Sequence, residues 1–511
     1  MKSILWAVII FILLNIFQFV MSHDMEAWGN LEPGPFAVGF KLIELADESR
    51  SYPAAEGIEQ NGRLIRVYIW YPAQPSSKAN MNFNEYIQMA ADDFSLKMKD
   101  GSEIWPPVPL PVPLDKGISR EYLRTLWDRP TLAVRDAQSA QGNFPLLVIG
   151  QGLYYESPLS QFTLCEYLAS QGYVVGTCPL VGTQYRLVNL NVEDLETQIR
   201  DMEFVLGYLR TLSHGKKASL GIVGYDLGGM SGLVFAMRHP EVKAFLSLDS
   251  GILVRHFSGL PMDHPSYDEN RFVIPWLHFT QARFAQSFKE RGLTTLLDRK
   301  SYGDSYVISV STTSHGDFSA YAMLGMQKEV SGYWGPIQQD PAPAYEDICR
   351  TTVTFFDAML KQDEEAQVRL KNKESYSDHF SLIEIKEGRE KPPAQAEFVN
   401  LIINQGMNET TRNYIEQALT VYPDSSLFSE DALNWLGYHF LYWWGREKEA
   451  VDVFRLNVRL FPKSANAYDS LGEALLNLGE TESAVENYRK SLELNPQNQN
   501  AITVLERLGR R

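Results

Sequence analysis

The feature that most constrains the fold of this 511-residue chain is a glycine-rich turn near its middle. An apolar run at residues 220–223 ends in the letters G-Y-D-L-G-G at residues 224–229, and an apolar helical pattern follows directly. The order strand, tight turn, helix predicts a nucleophile elbow. In such a turn the central side chain is exposed above the edge of a sheet, and the next backbone N–H points the same way. The central residue is Asp226 and the next is Leu227.

Strand and helix patterns alternate on both sides of this turn. A continuous apolar run, typical of a strand buried on both faces, lies at residues 145–150, and further strands are predicted at residues 173–176 and 244–248. Amphipathic helical patterns lie between these runs, the longest at residues 192–212. The alternation predicts an α/β fold with a mainly parallel sheet covered by helices on both faces. We place this domain at residues 30–365, with an insertion at about 74–143 that contains a proline-rich run.

The first 22 residues have the pattern of an export signal. Lys2 precedes an apolar run of about 17 residues that ends at Val20, and the small residue Ser22 follows. This order predicts a signal peptide over residues 1–22, although the run also approaches the length of a membrane-spanning helix. We therefore expect an exported protein, secreted or periplasmic, which stays anchored in the membrane if the segment is not cleaved.

The composition excludes several classes of function. The chain has 47 Lys and Arg residues against 63 Asp and Glu residues, a net charge of −16. Because an acidic surface repels phosphate groups, we expect no nucleic-acid partner. The three cysteines, Cys165, Cys178 and Cys349, are too few and too scattered for a disulfide framework or a metal site. We expect no metal ion.

The C-terminal part contains an internal repeat. Gly445, Ala450, Phe454 and Pro462 recur at Gly479, Ala484, Tyr488 and Pro496. Each pair is 34 residues apart, which is the length of the tetratricopeptide repeat, so we expect a helical repeat domain at residues 396–511. The charged residues before it predict a linker at residues 366–395. Leu471-Gly472 occupies its expected place in the second repeat, whereas Leu436-Gly437 in the first is displaced by one residue. Stacked helix pairs of this kind often bind a protein or peptide partner.

A nucleophile on an elbow requires an acid and then a histidine later in the chain. Asp249 directly follows the run at 244–248, where a parallel sheet places its sites, and His315 lies in the small-residue loop T-S-H-G-D-F-S. Two backbone N–H groups should form an oxyanion hole, that of Leu227 and one from the glycine-rich loop after residue 149, for which Leu153 is our candidate. The predicted catalytic residues are Asp226, Asp249 and His315.

These motifs resemble those of the α/β-hydrolase superfamily, and within it the platelet-activating factor acetylhydrolases and dienelactone-hydrolase-like esterases. The resemblance covers about residues 34–365. It rests on R-V-Y-I-W-Y-P-A at 66–73, the loop 150–153, the elbow, Leu248-Asp249 and S-H-G-D-F-S at 314–319. It implies hydrolysis of small-molecule carboxylic esters without a metal or another cofactor. The C-terminal part resembles the tetratricopeptide segments that follow hydrolase domains in secreted bacterial proteins.

The chain departs from this family at two places. Asp226 stands where the family has a nucleophilic Ser or Cys, and Gln151-Gly152 stands where the oxyanion loop has His-Gly. Attack of a carboxylate on an ester carbonyl would give a mixed anhydride, which is a poorer intermediate than an acyl-serine. The residue at the elbow therefore leaves the reaction open.

Three functions stay open at this point. The first, which is the function we predict from the sequence, is the carboxylic ester hydrolase that the family implies. In the second, Asp226 attacks a tetrahedral carbon and His315 activates the water that cleaves the resulting ester, as in haloalkane dehalogenases and epoxide hydrolases of the same superfamily. Those enzymes usually carry Trp where this chain has Leu227. The aromatic residues available for a leaving group are Tyr154, Tyr155 and Tyr185. The third function is a non-catalytic protein that binds partners through its repeats.

Overall fold

The computed structural model describes residues 29–50, 52–53, 59–60, 62–94, 126–153, 157–183, 188–212, 218–254, 259–311, 313–324, 340–390, 392–422 and 427–510. The chain forms two compact units, residues 1–389 and residues 390–511. The predicted export signal and the proline-rich run of the insertion lie outside the described residues. Within the described ranges, no helix combines the length and the apolar character needed to cross a membrane.

The first unit is built on one large sheet. Its strands are β1 Ala37–Asp47, β2 Tyr52–Pro53, β3 Glu59–Gln60, β4 Arg63–Ala73, β5 Ala133–Arg135, β6 Leu146–Gly150, β7 Val174–Thr177, β8 Leu220–Tyr225, β9 Val242–Leu248, β10 Trp276–Gln281, β11 Ser305–Val310 and β12 Phe380–Lys386. Apart from the β2–β3 pair, they form a sheet in the order β12-β11-β10-β9-β8-β6-β7-β4-β1-β5. From β7 to β11 in this order, neighbouring strands are parallel. β4 runs antiparallel to β7 and β1, and β12 antiparallel to β11.

Helices cover both faces of this sheet. They are α1 Phe83–Phe94, α2 Phe162–Ser170, α3 Val192–Thr211, α4 Leu227–Arg238, α5 Gly259–Met262, α6 Ala282–Glu290, α7 Leu296–Arg299, α8 Ala342–Leu360 and α9 Glu364–Lys371. Val223 of β8 packs in a core with residues of α1, α2 and α8, whereas the preceding Ile222 packs in a second core with residues of α3, α4 and α6. The first unit has the α/β-hydrolase fold, and the fold class that the sequence predicts is confirmed.

The predicted insertion at residues 74–143 contributes to this domain in its described parts. α1 packs into the core through the buried Phe83 and Tyr86. β5 pairs in parallel with β1 and lengthens the sheet at that edge. The insertion therefore includes both core and sheet residues.

The first unit extends beyond the predicted boundary at residue 365, and residues 366–389 are not a linker. β12 pairs antiparallel with β11, and both Leu370 of α9 and Phe380 of β12 are buried. The sequence of this segment is polar because β12 lies at the edge of the sheet, where one of its faces is exposed. The apolar residues of β12 form one short run, and the charged residues on both sides of it favoured the prediction of a linker.

The second unit is helical in its described part. Its helices are α10 Gln395–Gln405, α11 Glu409–Val421, α12 Glu430–Tyr438, α13 Glu447–Leu460, α14 Ala465–Asn477, α15 Thr481–Leu494 and α16 Gln499–Arg507. Gly472 of α14 lies against the ring of Tyr488 of α15, and Gly437 of α12 lies in the same way against Phe454 of α13. In both pairs a Cβ on the glycine would press into the ring, so the glycine permits the close packing of the helices.

A π-helical turn at His439–Trp443 accounts for the displaced glycine of the first repeat. The glycine and the aromatic ring are 17 positions apart in the first repeat and 16 in the second. The N–H of Trp444 donates to the carbonyl of His439, five residues earlier, at 3.0 Å. A turn closed in this way holds one residue more than an α-helical turn. The π-helical turn thus absorbs the extra residue, and the glycine keeps its aromatic partner.

Candidate active site

Asp226 occupies the turn between β8 and α4 in a strained backbone conformation. Its φ of 51° and ψ of −116° are rarely adopted by residues other than glycine. The turn has no room for side chains beside it, because a Cβ on Gly224 would overlap the carbonyl of Gly228, and one on Gly228 would overlap the carbonyl of Gly150. The predicted elbow is therefore present, with a carboxylate at its tip.

Asp249 and His315 form an acid–histidine pair. Asp249 follows β9 and is buried, and its Oδ2 lies 2.7 Å from Nδ1 of His315, which begins a short 3-10 helix after β11. Gln281 fixes Asp249, because its backbone N–H donates to Oδ1 at 3.2 Å and its side-chain amide donates to Oδ2 at 2.5 Å. The ring of Tyr225 stacks on the imidazole with a centroid separation of 5.1 Å. These contacts fix the orientation of His315.

His315 lies between two carboxylates. Its Nε2 is 3.7 Å from Oδ1 of Asp226, and its Nδ1 faces Asp249. Burial alone would lower the pKa of His315, but the attraction of Asp226 and Asp249 outweighs burial and raises this pKa to about 10. Burial would raise the pKa of Asp226, but His315 and the backbone N–H groups of Leu153 and Leu227 outweigh it, so this pKa is lowered from its usual value. At neutral pH the three side chains form a carboxylate–imidazolium–carboxylate triad.

The predicted oxyanion hole is occupied by Asp226 itself. The N–H of Leu153 donates to Oδ2 of Asp226 at 2.9 Å, and the N–H of Leu227 also stabilises this carboxylate. The five residues that the sequence predicts for the site therefore lie together. However, the donors expected to meet a substrate oxygen already hold an oxygen of the protein. The other carboxylate oxygen, Oδ1, is the one nearer to His315.

A buried polar network positions the oxyanion loop, and sequence reasoning missed it. Gln198 of α3 donates its amide N–H to the carbonyl of Gln151 at 2.8 Å, and its Oε1 accepts from the hydroxyl of Ser231 on α4. The side chain of Gln151 donates to Thr177 at 2.8 Å and accepts from Ser160 at 3.1 Å. Gln198 lies on the apolar stripe of α3, and this position could have indicated the network. A buried amide must form its hydrogen bonds with other groups inside the protein.

A cavity of about 250 Å³ opens beside the triad. In the described part of the chain its apolar lining consists of Leu153, Leu190, Leu227, Met230, Leu253, Val254, Phe284 and Phe288. Its other polar lining residues are Ser250, Thr280, Gln281 and Arg283. A space of this size and character admits a small, largely apolar molecule. The three tyrosines considered for a leaving group, Tyr154, Tyr155 and Tyr185, lie outside the described residues.

The same described ranges contain no cluster of three or more His, Cys, Asp or Glu side chains that could hold a metal ion.

Comparisons with known proteins bear on the two units separately. Residues 465–498 match the family model of the tetratricopeptide repeat, so the predicted repeat is confirmed there. The solved structure of a ferulic acid esterase from Streptomyces cinnamoneus is similar over 69% of this chain and 98% of that chain, with 21% sequence identity and a TM-score of 0.48. No curated protein matches the sequence. The fold of the first unit is established by its strand order and elbow, and the narrower resemblance to acetylhydrolases and dienelactone hydrolases stays a prediction.

Proposed function

We propose that the first unit is a hydrolase whose nucleophile is the carboxylate of Asp226. Its substrate would react at a tetrahedral carbon that carries a leaving group, as in an alkyl halide or an epoxide. The observation that carries this proposal is the hydrogen bond from the N–H of Leu153 to Oδ2 of Asp226. Leu153 holds Oδ2, and Oδ1, which lies 3.7 Å from Nε2 of His315, is the oxygen left for attack. The apolar cavity supports the proposal because it can accept the hydrocarbon part of such a substrate.

In the first step, Oδ1 of Asp226 forms a bond to the substrate carbon while the bond to the leaving group breaks, and the leaving group takes both electrons. The product is an alkyl ester of Asp226. This ester carries no charge, so His315 loses one of its two carboxylate neighbours and its pKa falls from about 10. His315 can then release its proton to solvent and become a base.

In the second step, neutral His315 takes a proton from water at Nε2, and the water oxygen adds to the carboxyl carbon of Asp226. Negative charge develops on Oδ2, which already accepts a hydrogen bond from Leu153, so the intermediate is stabilised without rearrangement. Its collapse breaks the bond to the alkoxy oxygen, which takes the proton from His315 and leaves as the alcohol. The carboxylic acid left on Asp226 then gives its proton to His315, which restores the resting triad. Asp249, 2.7 Å from Nδ1, stabilises the imidazolium during this step.

Labelling with oxygen-18 tests this route. In a single turnover in labelled water with the enzyme in excess, the alcohol should carry unlabelled oxygen, and the label should appear in the peptide that contains Asp226. His315→Gln should stop at the alkyl ester, seen as a mass increase of that peptide, and Asp226→Asn should form no ester. Label in the alcohol after the first turnover would refute a covalent intermediate on Asp226.

The carboxylic ester hydrolase implied by the family resemblance is the second candidate. The Asp249–His315 pair favours it, because the same pair activates a serine nucleophile in other hydrolases. Against it, the oxyanion of an ester substrate would need the N–H of Leu153, which Asp226 already uses. Hydrolysis of short-chain p-nitrophenyl esters by the wild type, lost in His315→Ala, would favour this candidate. Hydrolysis by Asp226→Ser alone would exclude the ester hydrolase, and the alkyl halide and epoxide substrates would then decide between the carboxylate route and the non-catalytic alternative.

We also propose that the second unit binds a protein or peptide partner, because tetratricopeptide repeats stack into extended concave surfaces. Partner binding without turnover of any of these substrates would favour the non-catalytic alternative. Export is a further proposal, which rests on the apolar run near the N-terminus. Mass spectrometry of the mature N-terminus in fractionated cells would show whether residues 1–22 are removed.

A further inference from the structure

Arg283 is the only Lys or Arg among the described residues that line the cavity. It is the second residue of α6, the helix that follows β10, and its guanidinium lies 5.0 Å from the ring centroid of Phe284, which lines the same wall. Within the described ranges the structure gives this guanidinium no hydrogen bond and no ion pair. By contrast, Arg63 and Arg238 have carboxylate partners at 2.7 Å and 2.5 Å.

Arg283 also does not stabilise α6, the helix to which it belongs. The first turn of a helix is the positive end of its dipole, where a cation is disfavoured, and the first turn of α6 contains no acidic residue that would offset this. The side chain is exposed and lines the cavity, and it is not packed in the core. Neither ion pairing nor helix stability therefore accounts for a cation at this position.

We infer that Arg283 is a catalytic residue that stabilises the leaving group as it departs, an inference that rests on the carboxylate-nucleophile reaction proposed above. The first step of that reaction moves negative charge from Oδ1 of Asp226 to the leaving group. A guanidinium on the cavity wall stabilises this charge as it develops. The reacting atoms would then lie between a hydrogen-bonded carboxylate and a cation for which the described residues supply an aromatic contact but no anionic partner.

The identity of this cation narrows the substrate class. Arginine is not deprotonated in proteins, so it stabilises a departing anion but does not give it a proton. A halide leaves as a stable anion and needs no proton. The oxygen of an opened epoxide is a basic alkoxide that needs a proton, and Arg283 cannot supply one. Alkyl halides therefore fit this site better than epoxides.

Alkylation of Asp226 in a His315→Gln background tests the inference separately from turnover, because the ester accumulates there. 1-Bromobutane and 1,2-epoxybutane have the same number of carbons, and mass spectrometry of the Asp226 peptide gives the alkylation rate for each. Arg283→Gln and Arg283→Lys are added to this background. Lys289→Gln is the matched control, since it removes one positive charge from the exposed last turn of the same helix, outside the described cavity wall.

We expect the bromide to react faster than the epoxide. Arg283→Gln should slow the bromide reaction roughly 100-fold, as loss of one charge-stabilising donor does elsewhere. Arg283→Lys should recover part of the rate, and Lys289→Gln should leave it unchanged. An equal rate in Arg283→Gln would overturn the role of Arg283 while leaving Asp226 as the nucleophile, and a faster epoxide reaction would overturn the substrate class.

Absence of alkylation in every folded variant would overturn the proposed function itself. Binding of the leaving anion is then measured on its own, as the rise in melting temperature with sodium bromide over sodium fluoride at equal ionic strength. A rise that Arg283→Gln abolishes and Lys289→Gln keeps would support an anion site at Arg283 even without turnover. No such difference would overturn the inference as well.

Discussion

The electrostatic coupling between Asp226 and His315 can be measured by removing one charge. Asp226→Asn keeps the shape of the side chain and removes the negative charge 3.7 Å from Nε2 of His315. Two unit charges at this distance attract by about 1 kcal/mol in water and by about 4 kcal/mol at an effective dielectric constant of about 20. Because about 1.4 kcal/mol corresponds to one pKa unit, we expect the pKa of His315 to fall by about 1 to 3. The starting value in the wild type is about 10.

The assay is an NMR titration of the imidazole nitrogens in protein labelled at histidine, with His315→Gln used to assign the signal. Asp249→Asn should also lower the pKa, through its contact with Nδ1 at 2.7 Å. Glu203→Gln is a matched control. It removes a carboxylate 2.8 Å from Nε2 of His239 and should leave the titration of His315 unchanged.

An unchanged pKa of His315 in Asp226→Asn would refute the coupling. It would also remove the reason why His315 becomes a base only after Asp226 is alkylated. A wild-type pKa close to the ordinary histidine value of about 6.5 would refute the triad of alternating charges at neutral pH.

The pH dependence of unfolding should depend on the same pair. Because the pKa of His315 is raised in the folded protein, its stabilising contribution is complete below about pH 6.5 and is lost as the pH rises towards 10. The free energy of unfolding in urea should therefore fall over this range in the wild type and fall less in His315→Gln. Gln198→Leu leaves the carbonyl of the oxyanion loop without its amide donor and should lower the free energy of unfolding by about 1 to 3 kcal/mol. Unchanged urea denaturation would contradict a structural role for this network. Gly228→Ala places a methyl group against the backbone of the oxyanion loop and should abolish the folded protein or lower its Tm sharply. Gly207→Ala, in α3 with no neighbouring atom in the way, should be neutral or stabilising by up to about 1 kcal/mol.

The motifs of the site could be predicted because each one is local. Asp226, Asp249 and His315 each follow a strand, so each could be predicted from the short stretch of sequence around it. Parallel strands then bring their carboxyl ends to the same edge of the sheet, so residues far apart in the chain meet there. The glycine-rich loop that supplies Leu153 follows the same rule, since it comes directly after β6.

The parts that could not be predicted depend on how separate elements fit together. The sequence of the elbow does not predict that the carboxylate of Asp226 accepts a hydrogen bond from Leu153 in the oxyanion hole, because that contact joins two separate loops. Glutamine and arginine are frequent in helices, so the sequence alone does not single out Gln198 or Arg283. Only the structure shows that Gln198 contacts the oxyanion loop and that Arg283 lines the cavity. β12 is a short apolar run within a charged segment, and only its pairing with β11 shows that it belongs to the sheet.

The π-helical turn of the first repeat has a consequence for variation in the length of these repeats. One residue added to a regular helix would rotate every later side chain by about 100° and replace the residues that face the core. Here the added residue widens a single turn, where Tyr442 and Trp443 are 57% and 78% exposed, and the contact of Gly437 with Phe454 is kept. Repeats of unequal length can therefore stack on one another without loss of their packing contacts. In the two repeats of this chain, the glycine–aromatic contact is kept while the number of residues between its two members differs by one.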